Sequence, residues 1–311
     1  MKAAALKSGQ HEPRAMQGFL LALLSALTFS SLGLFAKLIY SQGFSVPQSL
    51  AWRFSLAALL LWIFVLATGR WRKPAALYRR LFLLGLFGFA PQAGLYFLTL
   101  RYLDPGLASL LLYLYPAFVI IAVLLMYRRK PSRRQLLALL LAMVGCVLTL
   151  WKSAELPVQG LVFGLILALA YALYLTASEK ALKGIDPIFA TAVIMAAAAL
   201  FYWSITLVTG TLRLPSTTVA FAGILGIAVV ATILPIVTLF ASMERIGSAD
   251  ASLVSTAEPL FTIALSAVLL GERLSPLQLA GGACIISALL VLQVGRRMQV
   301  PLPGALPDSA E

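Results

Sequence analysis

The chain has 311 residues, of which 61% are hydrophobic and only 11% charged, and its mean hydropathy is +0.96. Soluble domains carry roughly 25% charged residues, so a soluble enzyme is excluded and an integral membrane protein is implied. The formal net charge of +13 would point to nucleic acid on a soluble chain; here Lys and Arg lie between apolar runs, where they serve membrane orientation, and no nucleic-acid partner is expected.

Residues 1–14 are polar and basic and read as a cytoplasmic tail before an uncleaved first helix. Ten apolar runs follow, at 16–39, 48–68, 79–99, 105–127, 134–151, 158–178, 187–209, 217–240, 249–270 and 276–295. Each is near the ~20 residues that span the hydrocarbon. Short connections predict antiparallel hairpins, and residues 298–311 read as a disordered tail. With the N-terminus in the cytoplasm, all Lys and Arg except Lys37, Arg53, Arg101, Lys152, Arg213 and Arg273 fall on the cytoplasmic side. That bias places both termini inside and fits a multi-pass protein of the bacterial inner (plasma) membrane.

His11 is the only histidine and lies in the tail, which excludes a histidine proton relay or a His-based metal centre. Cys146 and Cys284 lie inside apolar runs and read as packing residues. No metal site and no cofactor is expected. The chain has no Asn, hence no N-glycosylation acceptor.

The chain repeats at a shift of 143. Ala108-Ser109-Leu110 falls on Ala251-Ser252-Leu253, Pro116 on Pro259, Phe118 on Phe261, Ile120 on Ile263, and Gln135-Leu136 on Gln278-Leu279. At a shift of 142, Gln17-Gly18 meets Gln159-Gly160. Five helices per half is an odd number, so the halves must be inverted in the membrane, the common architecture of secondary transporters. The expected fold is an all-α membrane protein of ten transmembrane helices in two inverted repeats, 15–152 and 157–297. Ten helices suffice for a complete pathway in one chain, so a monomer is expected in the bilayer.

The stretch Ser248–Ser275 holds the leading site candidate. Glu258-Pro259 stands near the middle of a membrane-length run. A carboxylate there is costly unless it faces protein, water or a partner, and Pro259 removes a backbone donor. At about 100° per residue, Ser252, Ser255, Pro259, Thr262 and Ser266 share one face, which Glu258 flanks. Glu258 would bind a cationic group or carry a coupled proton; the alternative is a carboxyl that only locks the broken helix. Gln92, Tyr96 and Thr99 follow Pro91 at helical spacing. Tyr171, Tyr174 and Ser178 share the sixth run, and Tyr113 and Tyr115 precede Pro116. Tyrosines suit a cavity for organic metabolites, with a flat apolar face and one polar handle, and pocket lining is favoured for Tyr96, Tyr113 and Tyr174. Tyr40, Trp71, Tyr78, Trp151 and Tyr202 read as interface anchors. Arg53, about five residues or roughly 7 Å into its helix, either snorkels or acts at an outer gate or a substrate carboxylate; for Lys37 snorkelling is preferred. Glu272-Arg273 reads as a helix-end contact, and Gly160-x-x-x-Gly164 as close helix packing.

These residues carry a resemblance. Phe35-Ala36-Lys37, Trp52-Arg53-Phe54, Ala108-Ser109 with Tyr115-Pro116, and Glu258-Pro259-Leu260-Phe261 followed by Leu270-Gly271-Glu272-Arg273-Leu274, Gln278 and Gly281 resemble the EamA-type exporters of the drug/metabolite transporter superfamily. The first half departs from the pattern, with Tyr127-Arg128-Arg129-Lys130 at the corresponding turn. The resemblance covers residues 15–297. It implies export of amino acids or related small metabolites by alternating access without ATP, proton-coupled or facilitative. An ATP pump is disfavoured because no phosphate-binding loop is present. The alternative is a membrane-embedded lipid-handling protein, either a flippase-like subunit or an enzyme on isoprenoid or lipid substrates. No His pair, Asp-rich motif or Ser/His constellation supports the enzyme.

Overall fold

In hydrocarbon every backbone polar group needs a partner within the protein, and a helix supplies it locally. The computed structural model describes residues 2–99, 102–103, 105–150, 157–210, 212–270 and 275–297, and every regular element among them is helical. In chain order the α-helices are α1 (Lys2–Phe29), α2 (Leu32–Ser41), α3 (Val46–Ala67), α4 (Ala75–Leu83), α5 (Ala90–Thr99), α6 (Pro105–Leu112), α7 (Tyr115–Tyr127), α8 (Arg133–Leu150), α9 (Val158–Ala181), α10 (Pro187–Val208), α11 (Thr218–Ala228), α12 (Leu234–Ser255), α13 (Glu258–Leu270) and α14 (Pro276–Arg297). Two π-helical segments, Leu84–Phe89 and Val229–Ile233, join α4 to α5 and α11 to α12.

Among the described residues, seven helical stretches are long and apolar enough to cross a membrane, and Pro276–Leu292 is a shorter apolar helix. Their outward faces carry Leu59, Ile63, Phe87, Leu125 and Leu200, each more than half exposed. Apolar exposure on this scale marks a lipid-facing surface. The protein is therefore an all-helical, multi-pass membrane protein. Three expected runs, 16–39, 105–127 and 249–270, are each split into two helices, and one connection differs from its expectation. The sequence predicts an end near residue 240, but helix continues through the polar segment beyond it. The Arg245 guanidinium donates to Ala241 O at 2.6 Å, and the break comes at Gly247, with φ 79° and ψ 164°. Only glycine adopts that backbone without strain.

Local signals recur between the two halves. Ser132 N donates to Gln135 Oε1 at 2.9 Å and Gln135 N to Ser132 Oγ at 3.2 Å. Ser275 and Gln278 make the same reciprocal pair at 2.9 and 3.2 Å. Each is a capping box that satisfies two free donors at a helix start, and the two stand 143 residues apart. The breaks between α6 and α7, at Tyr113-Leu114, and between α12 and α13, at Thr256-Ala257, share that offset.

Two of the main helix pairs join corresponding helices, α3 with α10 and α8 with α14; α1 packs instead along α12. Between α3 and α10, Trp203 Nε1 donates to Ser55 Oγ at 2.7 Å, Trp52 and Trp203 meet edge to face at 5.3 Å, and Phe54 lies 5.7 Å from Tyr202. Tyr202 is 3% exposed and donates to Ala90 O at 2.7 Å. It is an interior residue, not the interface anchor its sequence position predicts, because its face of α10 turns toward α5. Gly160 and Gly164 do allow close packing; a Cβ would meet the Leu103 and Leu111 side chains at 2.6 and 2.4 Å. Trp151, Lys152, Arg101, Glu272, Arg273 and the 298–311 tail lie outside the described residues, as does the Lys37 side chain.

The close approach of α8 and α14 gives a test. A Cβ on Gly145 of α8 would lie 2.8 Å from Gly281 O and 2.7 Å from Ile285 Cγ1, whereas one on Gly33 meets nothing within 4 Å. Gly145→Ala should cost about 1–3 kcal/mol of overpacking, seen as a lower thermal midpoint in detergent, with Gly33→Ala as control. Equal midpoints would show that α8 and α14 part freely.

Candidate functional site

The centre of the bundle is built from two interrupted helices. Glu258 opens α13, directly after the Thr256-Ala257 break, with Pro259 next to it. Proline fits a first helical turn, where its missing N–H is not needed, and a carboxylate there meets the favourable end of the helix dipole. Opposite, Tyr113 lies in the break that ends α6, and Tyr115 and Pro116 begin α7. The Tyr113 hydroxyl donates to the Glu258 carboxyl. Tyr115 donates to Ser252 O at 3.2 Å, and its ring lies 4.7 Å from that of Tyr171 on α9. Tyr96 on α5 reaches Ser109 Oγ on α6 at 3.3 Å. Tyr96, Tyr115 and Tyr171 all lie within electrostatic range of Glu258, as does the Cys146 thiol. One carboxyl thus lies within hydrogen-bond or electrostatic range of four tyrosines contributed by α5, α7, α9 and the α6–α7 break.

Other candidates fall elsewhere. Tyr174 stands one turn beyond Tyr171 and packs on Phe89 at 5.6 Å. Gln92 is partly buried and makes no side-chain hydrogen bond among the described residues. The hydroxyl stripe is not a continuous polar face. Ser252 and Ser255 bond back to Ala249 O and Ala251 O at 2.8 and 2.9 Å, and the exposed Thr262 bonds to Glu258 O at 3.0 Å. Such back-bonding satisfies a hydroxyl within its own helix, and the break at Thr256-Ala257 rotates the two parts apart. The Ser266 side chain lies outside the described residues.

Arg53 does not snorkel. α3 begins at Val46, so Arg53 lies about 10 Å along it at ~1.5 Å per residue, and it is 5% exposed. Nε donates to Thr232 Oγ1 at 2.6 Å and Nη2 to Ala231 O at 3.1 Å. Both acceptors belong to the π-helical segment before α12.

The loops tie together at two ends. At one, Arg70 pairs with Asp186 at 2.6 Å, Arg80 donates to Ala181 O at 2.7 Å, and Arg129 pairs with Glu179 at 2.6 Å. At the other, Gln48 and Trp52 donate to Arg213 O at 2.6 and 3.1 Å, and Thr217 to Gln42 Oε1 at 2.8 Å. Sequence reasoning missed the Glu179 cluster. Its other oxygen accepts from Ser248 N at 2.8 Å and Ser248 Oγ at 2.5 Å, immediately after the Gly247 break. Gln135 Nε2 donates to Asp250 Oδ1 at 2.7 Å close by. These groups border a cavity of about 180 Å³ that also exposes Lys130 and Ala249. The partners stand 69 residues apart, and no local pattern announces such a pair; Gly247-Ser248 was the only visible cue.

With this geometry, comparison with known proteins gives one class, the membrane transporters. The model of the EamA-like transporter family matches residues 16–151 and, a second time, 158–294. The chain belongs to that family. An uncharacterized transporter of Bacillus subtilis, YcbK, is 30% identical over 280 residues, covering 86% of this chain and 89% of that one. An uncharacterized transporter of Archaeoglobus fulgidus is 31% identical over 216 residues, 68% of this chain and 76% of its own. A crystal structure that shares 19% identity superposes with a TM-score of 0.77 over 91% of this chain and 98% of its own, a likeness of fold.

The Glu179 cluster generates a second prediction. Glu179→Ala removes the acceptor for Arg129 and Ser248 together, so the rate at which a water-soluble maleimide labels Ala249→Cys should rise at least severalfold. An unchanged rate would mean that the cluster does not hold this end closed.

Proposed function

We propose that the chain exports amino acids or related small metabolites across the bacterial inner membrane, as a secondary transporter with both termini in the cytoplasm. Ten crossings form two inverted five-helix halves that alternate access to a central site. The matched breaks, capping boxes and π-helical segments support that reading, as does the double match to one family. Loops rich in Arg and Lys at the end that holds Arg70, Arg80 and Arg129 support a cytoplasmic assignment for that end.

The observation that carries the substrate class is the Glu258 carboxyl among Tyr96, Tyr113, Tyr115 and Tyr171. A carboxylate with aromatic faces around it attracts an ammonium group, by charge pairing and by cation–π contact. The same carboxyl is the natural carrier of a coupled proton, since it would bind either the proton or the amine. One proton moving down 100 mV supplies about 2.3 kcal/mol, enough for modest accumulation.

Proteoliposomes loaded with labelled amino acids test this. Efflux should accelerate under an imposed pH gradient, and Glu258→Gln should abolish the gradient dependence. Gradient-independent efflux that is equal in both proteins would leave a facilitator and reduce Glu258 to helix architecture. No movement of any amino acid would overturn the substrate class.

A further inference from the structure

Arg53 is a buried cation without a counter-charge. A guanidinium is a permanent cation in proteins, and buried charges are ordinarily paired. Among the described residues, no carboxylate lies within 4.0 Å of it. Among the described residues its side-chain hydrogen bonds, to Thr232 Oγ1 and Ala231 O, go to neutral acceptors, and its guanidinium carbon lies 5.1 Å from the centroid of the Phe54 ring. The Tyr40 hydroxyl lies within electrostatic range of Arg53, is buried, and likewise has no hydrogen-bond partner. A guanidinium without a counter-charge among the described residues and an unpartnered hydroxyl thus share one interior locus.

The bland explanation is that Arg53 serves the π-helical segment, whose altered hydrogen bonding loosens a carbonyl. The other half of the molecule argues against it. The position 143 residues after Arg53 is Ala196, and the corresponding π-helical segment is Leu84–Phe89. There α10 closes directly on the segment, with Ile194 O and Ala197 Cβ so near Gly85 that a Cβ would lie 2.8 and 2.9 Å from them. An equivalent π-helical segment is therefore accommodated by small apolar residues, and nothing architectural calls for a charge.

We infer that Arg53 and the Tyr40 hydroxyl form the subsite for the carboxylate of the substrate. The inference rests on the transport reading above and deepens it, because Glu258 then receives the ammonium end of the same zwitterion. Tyr96 connects the two poles: it lies within electrostatic range of both Tyr40 and Glu258, and Phe97 packs between the Tyr40 and Tyr96 rings at 6.2 and 5.6 Å. A single guanidinium matches a planar monoanion bidentately. Among the described side chains no second cation is in contact there, so a phosphate dianion would leave one charge uncompensated and a carboxylate is the better fit.

The test uses the purified full chain and compares L-amino acids with the corresponding amino acid amides, which keep the ammonium group and lack the carboxylate. At least one amino acid should raise the thermal midpoint of the native protein while its amide does not. Arg53→Met should abolish the response. Arg53→Lys, which keeps charge without the fork, and Tyr40→Phe, which removes one donor to a charged group, should each weaken apparent affinity by about tenfold. Should Arg53→Met fail to fold, the Lys and Phe variants carry the test. Equal stabilisation by amides, a full response in the Arg53 variants, or no response to any amino acid would overturn the assignment. Efflux of amino acids and amides at equal rates would remove the Arg53 subsite and leave the transport reading standing, which separates the two failures.

Discussion

The structure depends on the cost of interrupting a helix in hydrocarbon. At Tyr113-Leu114 and at Thr256-Ala257 two helices break in the interior of the bundle. Each break frees backbone groups that lipid cannot satisfy. The chain meets that cost by facing the breaks toward one another, where Tyr113 reaches Glu258 and Tyr115 reaches Ser252 O. Polar groups are thereby gathered at one interior point, and the helices that carry Tyr96 and Tyr171 complete its wall. The central site is a consequence of where the backbone was allowed to break.

Much of this was legible in the sequence because prolines and intramembrane carboxylates stand out against an apolar background. Glu258-Pro259, Tyr115-Pro116, the 143-residue offset and the candidate tyrosines Tyr96, Tyr113 and Tyr171 were all visible as residues. The hydroxyl stripe was misread, because projecting Ser252, Ser255 and Thr262 onto one wheel assumes an unbroken helix, and the break at Thr256-Ala257 resets the phase. Arg53 was misjudged for a different reason. Its depth follows from where α3 begins and its partners from α11–α12, and neither is encoded near residue 53. The Glu179–Ser248 contact was invisible because a cap supplied from another helix leaves no spacing to detect.

The lateral contacts divide the loops into two groups with different chemistry. One end is closed by charge-assisted bonds, Arg70–Asp186 and Arg129–Glu179. The other is closed by neutral donors on the Arg213 carbonyl, from Gln48 and Trp52. Exposed ion pairs contribute little, about 0–1 kcal/mol, and a neutral hydrogen bond roughly 1 kcal/mol. Neither set is strong enough to hold a bundle shut against a ligand that binds better in an opened form. Weak closures at both ends are what a protein with two nearly equal states requires, since a small difference in binding then shifts the population.

The repeat is faithful in scaffold and unfaithful in charge. Capping boxes, helix breaks and π-helical segments recur at nearly one offset, yet Glu258 corresponds to Tyr115 and Arg53 to Ala196. In the transport reading proposed above, a repeated scaffold would supply two equivalent packings and hence two access states of similar energy. A symmetric site would be of little use to a substrate whose two ends differ. With one carboxyl in the second half and one guanidinium in the first, the proposed ligand, which carries an ammonium group and a carboxylate, would have a single orientation that satisfies both. An intramembrane charge is costly unless something balances it. Among the described residues Tyr113 hydrogen-bonds the Glu258 carboxyl, and Arg53 is held by two neutral acceptors and the Phe54 ring, so neither charge has a protein partner of opposite sign within hydrogen-bond reach.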